Sequence, residues 1–436
     1  MATQINYYGN KDKAHDLRGL ALMLMNKLEN MKSLGKLDQI WSPVHTLKDG
    51  TTIRLQSIYD AQTIRITSPF EGKEITKEEI MEAEFKEVTS MGPYIYAAGY
   101  TINNKWFVEK FSASGTRKWY KELSVDGWAK TLAVDKTGVY IGGHKRTSPG
   151  NVPNWRVEKR SLTTGNLMWE QDIAHSYSSC TKVFSYDGSL YAVGTDTSTH
   201  GRISKINKTT GAVDVLVADA WEDSNVGLQD CYANASGLFV VGGQWETSWT
   251  DGSTYAVSRY NLTTLTREQL DYAPYSTYNN DISYSITGDD TGIYIFGRRL
   301  RPDVNYYWCA EKRSLTTISS VLWEQHDLLQ AIGGNQSWEA TVLTSGVVDA
   351  GNPSLGTGVV ELRDISSGAT TFQSNITDGT FLPLCVCKAG NRFVVAYYPS
   401  GLPPVISLRN ANNTVVHDIL AHTERAFIFG LGYQVE

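Results

Sequence analysis

The sequence predicts an all-β protein, a seven-bladed β-propeller of four-stranded blades with an N-terminal arm of helix and strand. Three observations predict it. A basic residue closes an apolar strand at Lys110, Lys159, Lys205, Arg259, Lys312, Arg363 and Arg409, at separations of 49, 46, 54, 53, 51 and 46 residues, the spacing of propeller repeats. Each repeat also holds a strongly apolar strand ending on Gly, as in Leu190-Tyr-Ala-Val-Gly194. A Ser/Thr/Asn-rich turn and often a Trp follow, clearest from Trp155 to Trp169 and from Trp308 to Trp323.

Each element of the repeat has a local reason. The first strand ends in a tight turn such as Asp135-Lys-Thr-Gly138, Tyr186-Asp-Gly188 or Asp289-Asp-Thr-Gly292, where Gly takes the positive φ that short hairpins need. The second strand is apolar on both faces, as suits a strand buried between neighbouring blades. The third carries the basic residue, and the fourth carries Trp119, Trp169 or Trp323. Four strands repeated in this order make a propeller. A solenoid would need distinct end caps. The repeats span 85–436, and the tail from Arg425 to Tyr433 reads as a further apolar strand, about 425–435, that closes the ring. An eighth blade built with help from the N-terminal strands is the alternative.

Residues 1–84 form the arm. Leu17, Leu20, Leu24, Leu28, Met31 and Leu34 recur at three- and four-residue steps, predicting an amphipathic helix over 14–34 with one apolar stripe to bury. Alternating segments within about 51–67 predict two half-buried strands, and a charged linker leads to the first repeat. Leu17, Leu20, Leu24, Leu28 and Met31 are therefore the candidate assembly contacts, for self-association or for another partner.

Composition narrows the function. A net charge of −6 and a pI near 5.8 argue against nucleic acid, whose binders carry basic patches. The five cysteines are odd in number and dispersed, so no disulfide framework is expected. Cys180, Cys231 and Cys385 fall on first strands and read as buried thiols. No run of eighteen apolar residues occurs, so no transmembrane helix is expected. A secretory signal is not expected either.

The third strand, its Thr-Thr-Gly turn and the Trp resemble the repeats of pyrroloquinoline-quinone-type propellers, best over Val157–Trp169 and Ala310–Trp323. That class includes quinone-dependent alcohol dehydrogenases and a non-catalytic scaffold of outer-membrane assembly. The resemblance implies the fold over residues 85–436. It does not carry the enzyme chemistry, because the adjacent cysteines of the dehydrogenases are replaced by Cys385-Val-Cys387 and the Glu, Asn and Asp set for their calcium is not found. No Gly-x-Ser-x-Gly, His-Glu-x-x-His or phosphate-binding Gly loop occurs. No catalytic residue, cofactor or metal is expected.

Aromatic residues outside the repeat pattern gather in the loops that one propeller face should share. Trp128, Trp221, Asp223, Trp245, Trp249, Tyr275, Tyr278, Asn335 and Trp338 are the candidate ligand contacts. Rings beside carboxylates and amides suit a sugar, whose C–H face packs on the ring while hydroxyls bond to Asp and Asn. They equally suit a protein hot spot. The expectation is a non-enzymatic structural or adhesion subunit, on a virion or extracellular surface, whose arm assembles and whose face binds a glycan or protein receptor. The alternative is an intracellular or envelope scaffold that binds peptides or partner proteins.

Overall fold

The computed structural model describes short strands within 45–76, then 83–91, 94–101, 104–112, 117–146, 154–173, 179–195, 200–217, 220, 226–245, 253–272, 281–300, 306–331, 336–354, 357–376, 382–389, 392–398, 405–410, 415–420 and 430–432. The helix expected at 14–34, with Leu17, Leu20, Leu24, Leu28 and Met31, lies outside these residues. Within the arm, β1 (His45–Thr46), β2 (Thr52–Leu55), β3 (Thr63–Thr67) and β4 (Gly72–Thr76) form an antiparallel sheet in sequential order.

The repeats make up everything that follows. β5 (Ala83–Met91), β6 (Tyr94–Thr101), β7 (Lys105–Ser112), β8 (Arg117–Asp135), β9 (Gly138–Lys145), β10 (Asn154–Arg160) and β11 (Leu167–Ile173) lie in one eight-stranded sheet. Four-stranded sheets follow: β12–β15 (Ser179–Tyr186, Ser189–Thr195, Gly201–Asn207, Val213–Val217), β16–β19 (Val226–Asn234, Gly237–Trp245, Ser253–Tyr260, Arg267–Tyr272) and β20–β23 (Ile282–Asp289, Gly292–Leu300, Tyr306–Arg313, Val321–Ala331). The last two are β24–β27 (Gln336–Leu343, Gly346–Ser354, Thr357–Arg363, Thr370–Ile376) and β28–β31 (Leu382–Ala389, Arg392–Tyr398, Val405–Asn410, Val415–Leu420). β32 (Gly430–Gly432) is the eighth strand of the large sheet and pairs parallel with β5.

Among the described residues six separate sheets therefore stand round the axis, which corrects the expectation of seven, or eight, separate blades. The reason is β8. Its first half pairs with β7 and its second half with β9, so it ends repeat 1 and begins repeat 2 without a loop. The chain turns at Gly127, whose φ of 133° is open to few other residues and where a Cβ would overlap the His144 carbonyl. The first strands adjoin in the order β5, β8, β12, β16, β20, β24, β28 and back to β5, enclosing the axis. The tail strand adds to β5 on its axial side and builds no further blade.

Packing explains the repeated residues. Trp106, Trp155 and Trp308 are buried third-strand residues, and the first two donate Nε1–H across to the His144 and Thr195 carbonyls at 3.1 and 3.2 Å. In repeats 1, 2 and 5 a fourth-strand Trp latches the repeat to the next. Trp119, Trp169 and Trp323 donate to the Leu162, Lys208 and Ile365 carbonyls at 3.1, 3.0 and 3.0 Å, in the turn of the following repeat. Lys110, Lys159 and Lys312 donate to the same three oxygens. The turn glycines Gly165 and Gly211 have positive φ, and a Cβ on either would stand 2.8 Å from the Trp ring. Where repeat 4 lacks the Trp, Gln269 takes over, accepting from Ile318 N at 2.8 Å and donating to the Thr316 carbonyl at 2.7 Å.

Two features of the sequence pattern acquire a different reading. Every first strand carries a β-bulge at one level, skipping Lys86, Lys130, Thr181, Gln229, Tyr284, Trp338 and Leu384. The Gly that ends the second strand faces this bulge. A Cβ on Gly143, Gly194, Gly242 or Gly297 would overlap a first-strand carbonyl. The basic series, in contrast, mixes two positions. Lys110, Lys159, Lys205, Arg259 and Lys312 share one register, while Arg363 and Arg409 pair one step further, as Arg160 does. The two sets point to opposite faces of the blade.

Candidate functional site

Three places on the propeller combine exposure or polarity with a departure from the repeat: the axis, the loop face around Trp128, and the outer rim. At the axis, the residue after each first-strand bulge is Glu87, Thr131, Lys182, Asp230, Ser285, Glu339 or Cys385 in ring order. Inner strands of neighbouring repeats are not hydrogen-bonded as a sheet, and several of these side chains cap the facing backbone instead. Thr131 Oγ1 accepts from Val183 N at 2.9 Å, Asp230 Oδ2 from Ile286 N at 2.9 Å and Ser285 Oγ from Ala340 N at 2.9 Å. Such bonds satisfy donors that would otherwise be stranded in the core.

Lys182 breaks the series, since an ammonium accepts nothing. Its Nζ lies 2.6 Å from Glu339 Oε1, three repeats further round the ring, and 3.7 Å from Asp230 Oδ1. These side chains are 6–15% exposed, so the pair is held out of bulk water. It ties opposite sides of the propeller together. A cavity of about 310 Å³ adjoins it, lined by first strands of six repeats and holding Ser185, Tyr232, Thr287, Thr341, Cys387 and Lys388. Among the described residues no group of three or more His, Cys, Asp or Glu is arranged to hold a metal ion.

On the loop face, Trp128 is the one candidate ligand contact with a described side chain. Its indole N–H donates to Asn104 Oδ1 at 2.8 Å. Tyr100 stacks on it with ring centroids 5.5 Å apart, His144 meets it edge-on at 4.7 Å, and the Arg146 guanidinium lies 5.3 Å from the ring. The ring is half-buried among these neighbours. Burial first, then Lys130 and Arg146, lower the His144 pKa to about 3, so the imidazole under Trp128 is neutral. Trp245 is the last residue of β17, and Trp338 is the bulge residue of β24. Trp221, Asp223, Trp249, Tyr275, Tyr278 and Asn335 lie outside the described residues.

The rim is where sequence reasoning missed a feature. Each fourth strand also carries a bulge, at Lys118, Met168, Asp214, Glu268, Leu322, Thr371 and Val416 in order. Repeats 1, 3, 4 and 6 place a charged or polar residue there. Repeats 2 and 5 place Met168 and Leu322, which are 55% and 52% exposed, next to Leu167 and Val321, at 45% and 43%. β11 and β23 are outermost strands, so one backbone edge of each is unpaired within its sheet. The signal was present in the near-identical Leu-Met-Trp-Glu-Gln and Val-Leu-Trp-Glu-Gln segments. Only the bulge shows that the second residue of each is pushed outward.

Buried charge also departs from the repeat at one point. The third-strand glutamate of repeat 2, Glu158, is gripped by Arg156 at 2.8 Å and Arg160 at 2.6 Å. In repeat 5, Glu311 accepts from Arg299 at 3.1 Å, from Arg313 and from the Tyr255 hydroxyl. Repeat 1 has Phe107 and Phe111 where repeat 2 has the two arginines. Its Glu109 is fully buried, neither oxygen accepts a hydrogen bond, and Arg117 Nη1 is 3.9 Å away. Burial, opposed in part by Arg117, pushes the Glu109 pKa up to about 8.

No protein family matches the sequence, and no curated protein does either. Similar solved structures include several propellers. RRP9 WD40 repeats match with a TM-score of 0.50 at 10% identity, over 71% of this chain and 87% of that one. The WD40 β-propeller domain of Doa1 matches with a TM-score of 0.48 at 12% identity, over 74% and 93%. BamB from Moraxella catarrhalis matches with a TM-score of 0.42 at 12% identity, over 86% and 98%. At these identities the likeness is one of fold, and the chain is a β-propeller built from four-stranded repeats, as its fold-level resemblance to the quinone-type propellers implied.

Proposed function

We propose that this protein is a non-catalytic interaction scaffold that binds partner protein segments along the rim of its propeller. The observation that carries the reading is the pair of exposed apolar residues on each of β11 and β23, at a bulge position where repeats 1, 3, 4 and 6 carry a charged or polar residue and repeat 7 carries Val416. An exposed edge strand is normally defended by charge. Here the charge is withdrawn at Met168 and Leu322, and below its bulge β11 keeps a regular edge while β23 has two further register shifts against β22, so β11 is the edge that best suits strand addition by a partner with side-chain anchors beside it. The inter-repeat latches hold these edges on a rigid frame. This favours the scaffold over the receptor-binding reading of the loop face, where Trp128 is engaged within the protein.

The test is parallel affinity capture with the native chain and with Met168→Asp/Leu322→Asp. Asp is the residue that repeat 3 carries at the same position, Asp214, so the fold tolerates it there. A partner retained by the native chain and lost by the variant supports the reading. Equal retention by both, or capture abolished by Trp→Ala changes at Trp245 and Trp249 instead, overturns it and returns the loop face to first place. For residues 1–84 we propose the assembly role expected from Leu17, Leu20, Leu24, Leu28 and Met31. Light scattering on the full chain and on one beginning near Glu84 checks it, and equal masses would refute it.

A further inference from the structure

The ring closes where repeat 7 meets repeat 1. There β28 adjoins β5, and β32 pairs with β5 over three residues while packing on β28 and β29. Two departures from the repeat coincide at this boundary. The first lies on repeat 7. In repeats 1, 2 and 5 a third-strand Lys and the fourth-strand Trp paired with it both reach the next repeat's turn. At that register repeat 7 pairs Leu408 with His417, so it carries neither the ammonium nor the indole of the latch. Repeat 6, with Leu362 and Phe372 there, lacks them too, but these two join one apolar cluster with Phe393 and Val395 of repeat 7.

The second departure lies on repeat 1. The third-strand face that carries Glu311 looks back to the preceding repeat, since Tyr255 and Asp271 of repeat 4 bond to Glu311 and Arg313. Glu109 holds the same register, one residue before Lys110, and so looks back to repeat 7. It is fully buried, and neither oxygen accepts a hydrogen bond. The forward side of repeat 7 sets Val394, Ala396 and Leu408 in register, all buried, and such side chains offer a carboxylate no donor. Of the titratable and charged groups nearby, β8 places Tyr120 opposite Glu109, Arg117 opposite Phe111 and Glu122 opposite Phe107. On repeat 7, Arg392 at the exposed end of β29 and His417 share the forward side by register.

We infer that the boundary between repeats 7 and 1 is a proton-controlled opening in the ring. With Glu109 protonated the ring is shut; with Glu109 ionised, repeats 1 and 7 part and β32 leaves β5, while repeats 2 to 6 stay assembled. A neutral carboxyl is tolerated between apolar walls, whereas an ionised one must be paired or hydrated. Arg117 Nη1, at 3.9 Å, makes no hydrogen bond to it. Parting the boundary admits water where no Lys and Trp latch resists. In the shut ring Glu109 keeps its proton to about pH 8, against 4.5 for the ordinary group. Opening therefore becomes about tenfold more favourable between pH 7 and pH 9.

Hydrogen exchange of the full chain at pH 7 and pH 9, with each rate corrected for its intrinsic pH dependence and read by mass spectrometry, measures the opening. Protection in β5 and β32 should fall about tenfold more than in β16–β19. Glu109→Gln cannot ionise. Phe111→Arg gives Glu109 the arginine that repeats 2 and 5 carry at that register, Arg160 and Arg313. Each variant should abolish the difference, and one folded variant suffices for the comparison. An equal fall in all repeats, or no fall in β5 and β32, overturns the local opening. A selective fall that persists in the variants overturns the role of Glu109.

Discussion

Replacing Glu109 by Gln should convert a pH-dependent propeller into one that holds its stability in alkali. In the folded chain the Glu109 carboxyl titrates at about 8, against 4.5 for the ordinary group. Between these values the folded protein keeps a proton that the unfolded chain has released, so stability declines as pH rises through that window and the loss is complete above about pH 8. At about 1.4 kcal/mol per pH unit, the wild-type protein loses on the order of 5 kcal/mol between pH 4 and pH 9 from this residue. The amide of Glu109→Gln does not ionise. Its own hydrogens enter a pocket flanked by Phe107 and Phe111, so the variant should be weaker than wild type by about 1–3 kcal/mol at pH 5. At pH 9 the order reverses. Urea unfolding followed by circular dichroism at pH 5, 7 and 9 measures both curves. Crossing curves are expected; parallel curves would refute the claim that Glu109 lacks a charge partner equal to its burial.

Further outcomes follow from the same packing. Trp169→Ala empties the space over Gly211 and breaks the bond to the Lys208 carbonyl; a loss of about 3–5 kcal/mol is expected in denaturant melts, and a loss below 1 kcal/mol would mean the latch is unimportant. Lys182→Met leaves Asp230 and Glu339 without their shared cation and should cost about 3–5 kcal/mol, while adding Glu339→Leu should restore a large part of it. A double-mutant coupling near zero would show that the axial pair contributes nothing. His144 gives the opposite pH sense to Glu109. Its folded pKa of about 3 lies below the ordinary 6.5, so the stability it supports is present above pH 6.5 and declines as pH falls towards 3. His144→Gln should flatten the acid limb of the stability curve, and an unchanged limb would refute the assignment.

Much of the fold was legible because a repeat repeats its physics. The Trp latch of repeats 1, 2 and 5, the turn glycines it rests on and the apolar second strand each serve a contact copied between repeats, and recurrence in sequence exposed them. The lysine series was legible only in part, since Arg363 and Arg409 sit one residue along and face the other way, a distinction of register that a count of spacings does not contain. Continuity of β8 was hidden for a similar reason: Trp128 reads as part of a loop between repeats, and only the pairing of β8 with both β7 and β9 shows a strand passing through it. The loop aromatics were selected as residues outside the repeat, yet Trp128 proves to be packed by Tyr100, His144 and Arg146, which come from other strands.

What the amino-acid order determined by itself was the local grammar: four strands, tight glycine turns, an apolar second strand ending on Gly and a Trp fixed by the repeat. These depend on neighbours within a few residues or on contacts copied at a constant interval. Tertiary structure alone decided which departures from the repeat carry consequences. Lys182 meets Glu339 across the axis, over 157 residues of chain, and Glu109 loses its arginines because two phenylalanines replace them on a buried face. Met168 and Leu322 are apolar in the sequence like dozens of core residues, and they stand in solvent because they lie at a bulge in an outermost strand. Exposure is a property of the assembled ring, and no local pattern encodes it.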